Sequence, residues 1–418
     1  MRLESALAAA LSLALVPRPV HADEVDATAT SLLQARQDPR DGAVHTVVPL
    51  LELVSAKASA IDNPWVQDLS VVLSAWGGFQ FGDPIDNHQA TGDVDLAYVE
   101  GSGLDHKVKA RLGRQLIIGG AGRITPIDGL NVTVMPTATL GVTVYGGQVV
   151  VPRFALPKGD GVAGIRAFDR ISPETEVGVS FLDMLTDGRT ARQDVALDAR
   201  YALRQDLTLT GYGAFSALAL RLSEADVAAL WQPMRQLQVT ADYRRTAPDL
   251  FIPASSIFSV FAQERLDEFG AMVSGRPWAH LTVWGDYHAV DSQDGWGHRA
   301  QLRGTWDVGS QRRTSVGVEG RLLSIPVNGY LEGRVFGTHH VAQNLLATLE
   351  LDAYHFRNPI NGQPNSFYSS ATVAYDATPT WRVALSGVVG VTPYLESETQ
   401  LMARLVWNPT FHFHESHR

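Results

Sequence analysis

The chain has 418 residues, 45% of them hydrophobic and 19% charged, with a formal net charge of −10 and no cysteine. These figures exclude a largely disordered chain, a disulfide scaffold, a thiolate metal site and a cysteine nucleophile. The acidic balance also argues against nucleic acid as a partner, because phosphate binding needs a basic face.

The first element reads as a secretory signal over residues 1–22. Arg2 supplies a thin positive start, Ala6 to Val16 is an apolar run interrupted only by Ser12, and Val20-His21-Ala22 forms a small-x-small cleavage site. Beyond it no apolar run approaches the ~20 residues of a membrane helix. An exported chain of this kind is periplasmic, secreted or a membrane β-barrel. Residues 23–64 are expected to form an N-terminal periplasmic segment or an extra strand. Within them, 23–45 read as polar and mobile, and Val48 to Ile61 reads as a strand or a short plug-like helix.

From Leu69 the pattern changes to period two. Leu69, Val71, Leu73 and Ala75 alternate with Ser70, Val72, Ser74 and Trp76; further on, Val195, Leu197 and Ala199 alternate with Asp194, Asp198 and Arg200. Similar alternation covers Leu237 to Tyr243 and Ala300 to Trp306. Strict alternation is a strand signature, and segments such as 206–217, 280–290, 344–356 and 380–391 reach the ~9–11 residues of a tilted membrane strand. The second face of these strands is repeatedly charged, as a wet lumen would be and a dry sandwich core would not. Short and long connections mostly alternate, with tight links near 203–205, 233–235, 277–279 and 377–379 and a long one over 246–265. The expectation is an all-β fold, a single antiparallel transmembrane barrel of about 20 strands (roughly 16 to 22) over residues 65–413, with a short tail at 414–418.

Alternation assigns most strand charges to the inward face, acids and bases in near balance. The pore-lining candidates are Lys107, Lys109 and Arg111, a basic ladder expected beside Asp93 and Asp95, together with Arg166, Arg299 and Arg303. Such a ladder could steer a charged solute, or its members could pair across the wall and hold the barrel's shape. Glu319 and Arg321 beside Glu332 and Arg334 suggest pairing. Leu116 to Gly129 and Thr246 to Arg265 are candidate inward-folding loops, the second unusually apolar (LFIPASSIFSVFAQE).

Chemistry-bearing motifs are sparse. Asp286 and His288 share one strand face, and a membrane-embedded hydrolase would need them to meet a serine. No nucleophile elbow, phosphate loop or metal-spaced histidine pair is present, so no catalytic, cofactor or metal residue is assigned. His339-His340 is placed in a turn. Trp65, Trp76, Trp231, Trp278, Trp296, Trp306, Trp381 and Trp407 fall mostly near segment ends, where an interfacial girdle would put them.

The last strand, Leu401 to Phe413, alternates apolar residues and ends on aromatics. With the signal and the hairpin rhythm, it makes the chain resemble a bacterial outer-membrane β-barrel. The resemblance implies that Trp407, Phe411 and Phe413 form the assembly signal engaged by the barrel-assembly machinery; His414 to Arg418 depart from the pattern by extending past it. Pro409 has no N–H for a ladder, so regular pairing should stop near Trp407. Arg111-Leu112-Gly113-Arg114-Gln115, followed by Arg123 and Asp128-Gly129, is similar to alginate-export-type porins, and implies an arginine-lined passage for anionic sugars or similar solutes. The combined expectation is an outer-membrane, porin-like channel for passive diffusion or export of small polar or anionic solutes, contacting lipid and the assembly machinery, with homo-oligomers left open. The alternative is a plugged barrel acting as an envelope scaffold or surface-binding protein.

Overall fold

The computed structural model describes residues 22–40, 42–61, 66–82, 89–150, 160–250, 252, 265–309 and 313–412. The leader (but for Ala22), Trp65, most of the 246–265 connection, Phe413 and the tail lie outside the described residues. In chain order the strands are β1 (Ala22–Arg40), β2 (Ala43–Ile61), β3 (Gln67–Phe81), β4 (Ala90–Gly103), β5 (Val108–Ile117), β6 (Thr125–Val134), β7 (Leu140–Val149) and β8 (Gly161–Ser172). They continue with β9 (Thr175–Thr186), β10 (Arg189–Arg204), β11 (Leu207–Ser216), β12 (Arg221–Met234), β13 (Leu237–Thr246), β14 (Leu266–Trp278), β15 (Leu281–Ser292) and β16 (Gly295–Val308). The last are β17 (Thr314–Ser324), β18 (Gly329–Ala342), β19 (Leu345–Ile360), β20 (Gln363–Thr378), β21 (Trp381–Val391), β22 (Glu398–Trp407) and the short β23 (Thr410–His412).

From β1 to β22 each strand pairs antiparallel with its sequence neighbours, and β1 also pairs with β22, Ala29 opposite Trp407 and Arg36 opposite Gln400, and with β23. The sheet therefore closes as a 22-strand barrel with one extra strand. Closure matters because lipid cannot satisfy an open strand edge, so every backbone N–H and C=O must be paired within the wall. The count sits at the top of the expected range. β22 ends at Trp407 and β23 restarts beyond Pro409, whose carbonyl accepts the Ala27 N–H at 3.0 Å; the ladder skips the residue that has no N–H to give.

Residues 22–61 are a correction to the sequence reading. Val48 to Ile61 is the strand of the two alternatives, within β2, but 23–45 is no mobile arm: it forms β1 and the start of β2, and the hairpin is part of the barrel wall. The pattern was hard to see because one face of β1 carries Ala27, Ala29, Ser31, Leu33 and Ala35, small residues with little hydrophobic contrast. The wall accordingly begins at Ala22, well before residue 65.

The two faces of the wall are chemically distinct. Val177, Val179, Phe181, Val195, Leu197, Leu209 and Phe215 lie on one, Arg166, Glu176, Asp194 and Asp198 on the other, and the register carries this alternation around the sheet. The apolar face is the one a bilayer covers. On it Trp231, Trp278, Trp306, Trp381 and Trp407 gather at the rim where the chain ends, and Trp381 and Trp407 lie nearly parallel, centroids 5.6 Å apart. Phe181, Phe215, Phe367 and a Phe269–Trp296 edge contact at 5.4 Å occupy the opposite rim. Two aromatic girdles bounding an apolar band are the marks of a bacterial outer-membrane barrel. Trp76 is an exception to the girdle expectation, since its register puts it on the lumen face of β3.

The rims differ in their connections. Where the termini lie, two-residue turns at 173–174, 205–206, 235–236, 279–280, 343–344 and 379–380 dominate. The other rim carries the longer connections 82–89, 118–124, 150–160, 247–265 and 392–397. We call these the short-turn and long-loop rims. At the long-loop rim several expected loops are instead strand extensions closed by tight turns, as at 361–362, and His339-His340 lies within β18, not in a turn.

Candidate functional site: the charged lumen and its inward loop

The connection 118–124 folds over the inner wall. Gly120–Gly122 makes one 3-10 turn seated against β8, β9 and β10, and Ala121 is fully buried there. The Ala121 N–H donates to Ser180 Oγ at 2.7 Å, and the Arg192 guanidinium donates to the Ala121 carbonyl at 3.4 Å. Glycine is required for this approach. A Cβ on Gly120 would stand 2.6 Å from Ser180 Oγ, and Gly120 also has φ +59°, while a Cβ on Gly122 would collide with the Tyr145 hydroxyl. Beneath the turn Ile117, Ile127, Tyr145, Leu182, Met184, Ala196, Tyr212 and Ala214 form one buried apolar cluster. This is the dry part of an otherwise wet interior, and it fixes the loop as a ledge that narrows the lumen.

A charge network secures the ledge. Arg192 pairs with the fully buried Asp194 at 2.5 Å. Arg123 lies 4.5 Å over the Tyr212 ring and reaches Glu224 at 3.6 Å and Asp226 at 3.8 Å. Arg192 and Ser180 escape sequence reading for a definite reason. Arg192 shares the face of Asp194, but its outward neighbours Ala191 and Gln193 give no apolar contrast and the β9–β10 register shifts just before it, so Arg192 looks like part of a link. The pairing partners themselves are 59 and 71 residues apart in the chain, a separation no local pattern signals.

Elsewhere the lumen charges pair along the wall. Arg166 on β8 donates to Glu176 on β9 at 2.7 Å and to Asp198 on β10 through two nitrogens, one at 3.1 Å. On β16 to β19, Arg303, Glu319, Arg334 and Asp352 stand opposite one another in one cross-strand row, and Gln301, Arg321, Glu332 and Tyr354 in the next. Glu319 is the hub: it accepts from Gln301 at 2.7 Å and faces Arg321 at 2.5 Å, Arg334 at 3.5 Å and Arg303 at 3.9 Å. Arg299 stands 3.6 Å from Glu268 and 3.9 Å from Asp286. Opposite charges at these spacings cancel each other's long-range field, so this sector presents hydrogen-bonding groups without a strong single sign.

The expected basic ladder needs correction. Lys107 lies in the 104–107 turn, and only Lys109 and Arg111 are strand rungs. Both bind Glu100, Lys109 at 2.9 Å and Arg111 at 2.5 Å, not Asp93 or Asp95. The cause is register: antiparallel β4–β5 pairing runs from Gly103 opposite Val108 only as far as Ala97 opposite Arg114. Asp93 and Asp95 therefore lie beyond it toward the long-loop rim, where Asp93 meets Arg114 at 3.0 Å and Asp95 sits at a break in the β3–β4 register. Arg114 also binds Asp128 at 2.8 Å, so these two charges meet each other as a wall contact.

Asp286 and His288 do meet, but in a closed arrangement. His288 Nδ1 is 3.2 Å from Asp286 and Nε2 is 3.2 Å from Asp242, so each ring nitrogen already faces a carboxylate. A general base needs one nitrogen turned to a nucleophile. No group of three or more histidine, aspartate or glutamate side chains is disposed to hold a metal among the described residues.

No protein-family model and no curated protein matches the sequence. Solved structures do match in shape. The P pilus usher (PapC) translocation pore superimposes with a TM-score of 0.56 at 8% identity, covering 93% of this chain and 100% of that one. OccAB2 of Acinetobacter baumannii gives 0.47 at 8% identity (93% and 98% covered), and OpdQ of Pseudomonas aeruginosa 0.46 at 10% (93% and 97%). At these identities the usher likeness establishes the fold, a large outer-membrane barrel, and leaves function to the geometry of the lumen.

Proposed function

We propose that the protein is a porin-like outer-membrane channel through which small polar solutes, anionic ones among them, diffuse passively. The observation that carries this reading is the closed 22-strand wall whose inner face is lined by paired charges and narrowed, not filled, by the 118–124 ledge. A barrel of this size encloses more space than its own side chains can fill. The rival, a plugged scaffold, gains if 48–61 and 246–265 fill the lumen; 48–61 is wall strand β2, and most of 246–265 lies outside the described residues. The long-loop rim is the extracellular one in this reading, as short turns and both ends of the barrel chain belong to the periplasmic side.

Anionic solutes are favoured over cations by Arg36, Arg200 and Arg404. Alternation puts all three on the lumen face, they are exposed, and they have no carboxylate partner among the described residues. A non-enzymatic role is supported by the His288 geometry, which leaves no ring nitrogen for a nucleophile. The outward Trp407 and Phe411 at the end of the closing strands support engagement by the assembly machinery. Planar-bilayer recording tests the channel. Stepwise ohmic conductance with mild anion preference is expected; a folded, inserted barrel that passes no current would overturn the reading.

A further inference from the structure

A second feature of the lumen lies away from the ledge. Just under the long-loop rim, the inward faces of β18, β19, β20, β22 and β1, with the 392–395 connection, line an open recess of about 550 Å³. Its lining includes Tyr330, Tyr354, Phe356, Tyr394, Arg36 and Gln400. Three of these rings, with Tyr368 behind them, make a continuous aromatic strip across three strands. Tyr354 lies 6.3 Å from Phe356 at 11° between planes, 6.0 Å from Tyr368 at 24°, and 5.7 Å from Tyr330 at 60°.

The position of these rings is what needs a cause. Girdle aromatics face outward, where lipid covers them. Tyr330, Tyr354, Phe356 and Tyr368 share the lumen face with Glu332, Arg334 and Asp352, and all four remain half-exposed to the water inside. They do not join a dry core, since the buried apolar cluster sits at the ledge on other strands. An aromatic surface kept partly wet in a passage suits a ligand with one apolar face. The rim of the recess is polar and of mixed sign: Arg36 lies opposite Gln400, and Asp38, paired with Arg40 at 2.8 Å, and Glu398 line it as well. The volume falls within the ~300–1,000 Å³ usual for small-molecule sites.

We infer that this recess is a binding subsite for neutral pyranose sugars. A pyranose ring offers a face of C–H bonds to the aromatic strip and equatorial hydroxyls to Arg36, Asp38 and Gln400. Mixed charge at the rim satisfies hydroxyls without requiring an ionised ligand. The inference rests on the channel reading for its purpose, since an outward-facing subsite near the mouth would hold an incoming sugar at the start of its path. Its binding step needs no conduction.

The test is calorimetric titration of the full barrel, folded in the sugar-free detergent lauryldimethylamine oxide, with maltotriose and separately with mannitol, an acyclic polyol that has hydroxyls but no ring face. Saturable binding of maltotriose at least tenfold tighter than mannitol is expected. Tyr354→Ala and Phe356→Ala should each weaken it about tenfold, Tyr354→Phe should retain it, and the lipid-facing Phe367→Ala should leave it unchanged. Absence of saturable maltotriose binding, equal binding of mannitol, or full binding by Tyr354→Ala overturns the subsite. A barrel that conducts but does not bind overturns the subsite alone; one that binds but does not conduct overturns the channel alone.

Discussion

Ser31 donates its hydroxyl to the Glu52 carboxylate at 2.8 Å, and the pair stands on the outer face of the wall, not in the lumen. Their row runs from Leu405 through Ser31 and Glu52 to Gly77. Ala29, Val54 and Ala75 flank it toward the short-turn rim, and Leu33, Leu50 and Phe79 toward the long-loop rim. A carboxylate thus sits inside the apolar band with one hydroxyl partner.

That placement makes Glu52 costly. A charged side chain on the lipid face of a barrel costs up to ~2–4 kcal/mol for Arg or Lys at the midplane and less for Glu. Glu52→Leu should therefore stabilise the barrel by about 1–2 kcal/mol, with Glu52→Gln intermediate. Equilibrium urea unfolding in phospholipid vesicles measures it. A loss of stability on Glu52→Leu would mean that the carboxylate is satisfied by more than Ser31.

The ledge makes a second prediction. Gly122→Val puts a branched side chain where the Tyr145 hydroxyl lies, so the 118–124 turn must lift from the wall into the lumen. Overpacking of this kind costs about 1–3 kcal/mol. Single-channel conductance should fall, because the displaced turn occupies part of the passage. An unchanged conductance with the expected stability loss would show that the ledge does not border the conducting path.

Glu319 provides a third. Its side chain is almost fully buried among Arg303, Arg321 and Arg334, and Gln301 donates to it. Glu319→Gln keeps the shape and removes the negative charge; Arg321 keeps Glu332 and Arg334 keeps Glu350 and Asp352, while Arg303 loses its carboxylate. The arginines are partly exposed, so the cost is about 1 kcal/mol, below that of a fully buried pair, and the lumen gains a positive charge. Reversal potentials across a potassium chloride gradient should shift toward anion preference. The opposite shift, or none, would place this cluster outside the path that ions sample.

Most of the wall was legible in the sequence, and the reason is physical. Where a strand separates lipid from water, every second residue is forced to opposite polarity, as in Val195 to Arg200, and turn residues mark each reversal. β1 and β2 were obscure because Ala27, Ala29, Ser31 and Ala35 are small enough to blur that contrast, and Glu52 reverses it outright. Charges facing the lumen could be assigned from alternation, but their partners could not. Whether Arg111 meets Asp93 or Glu100 depends on how far β4 and β5 pair, which a bulge or an early end of the ladder decides. The aromatic strip was hidden for a similar reason. Tyr330, Tyr354, Phe356 and Tyr368 come together only through the registers of β18, β19 and β20.

Trp407 carries the last prediction, because it couples the girdle to closure of the barrel. It lies opposite both Trp381 on β21 and Ala29 on β1, nearly parallel to the Trp381 ring at 5.6 Å and edge-on to Phe411 at 6.4 Å. Aromatic pairs contribute about 0.5–1.5 kcal/mol each beyond their burial, so Trp407→Ala should lower stability by roughly 2 kcal/mol. Trp407→Phe keeps a ring in the girdle and should recover most of that. Since β22 must find β1 for the sheet to close, Trp407→Ala should also slow folding into vesicles, read as the rate at which the heat-modifiable band appears. If the unfolding midpoint and the folding rate of Trp407→Ala both match the wild type, the stacked pair plays no part in holding the seam.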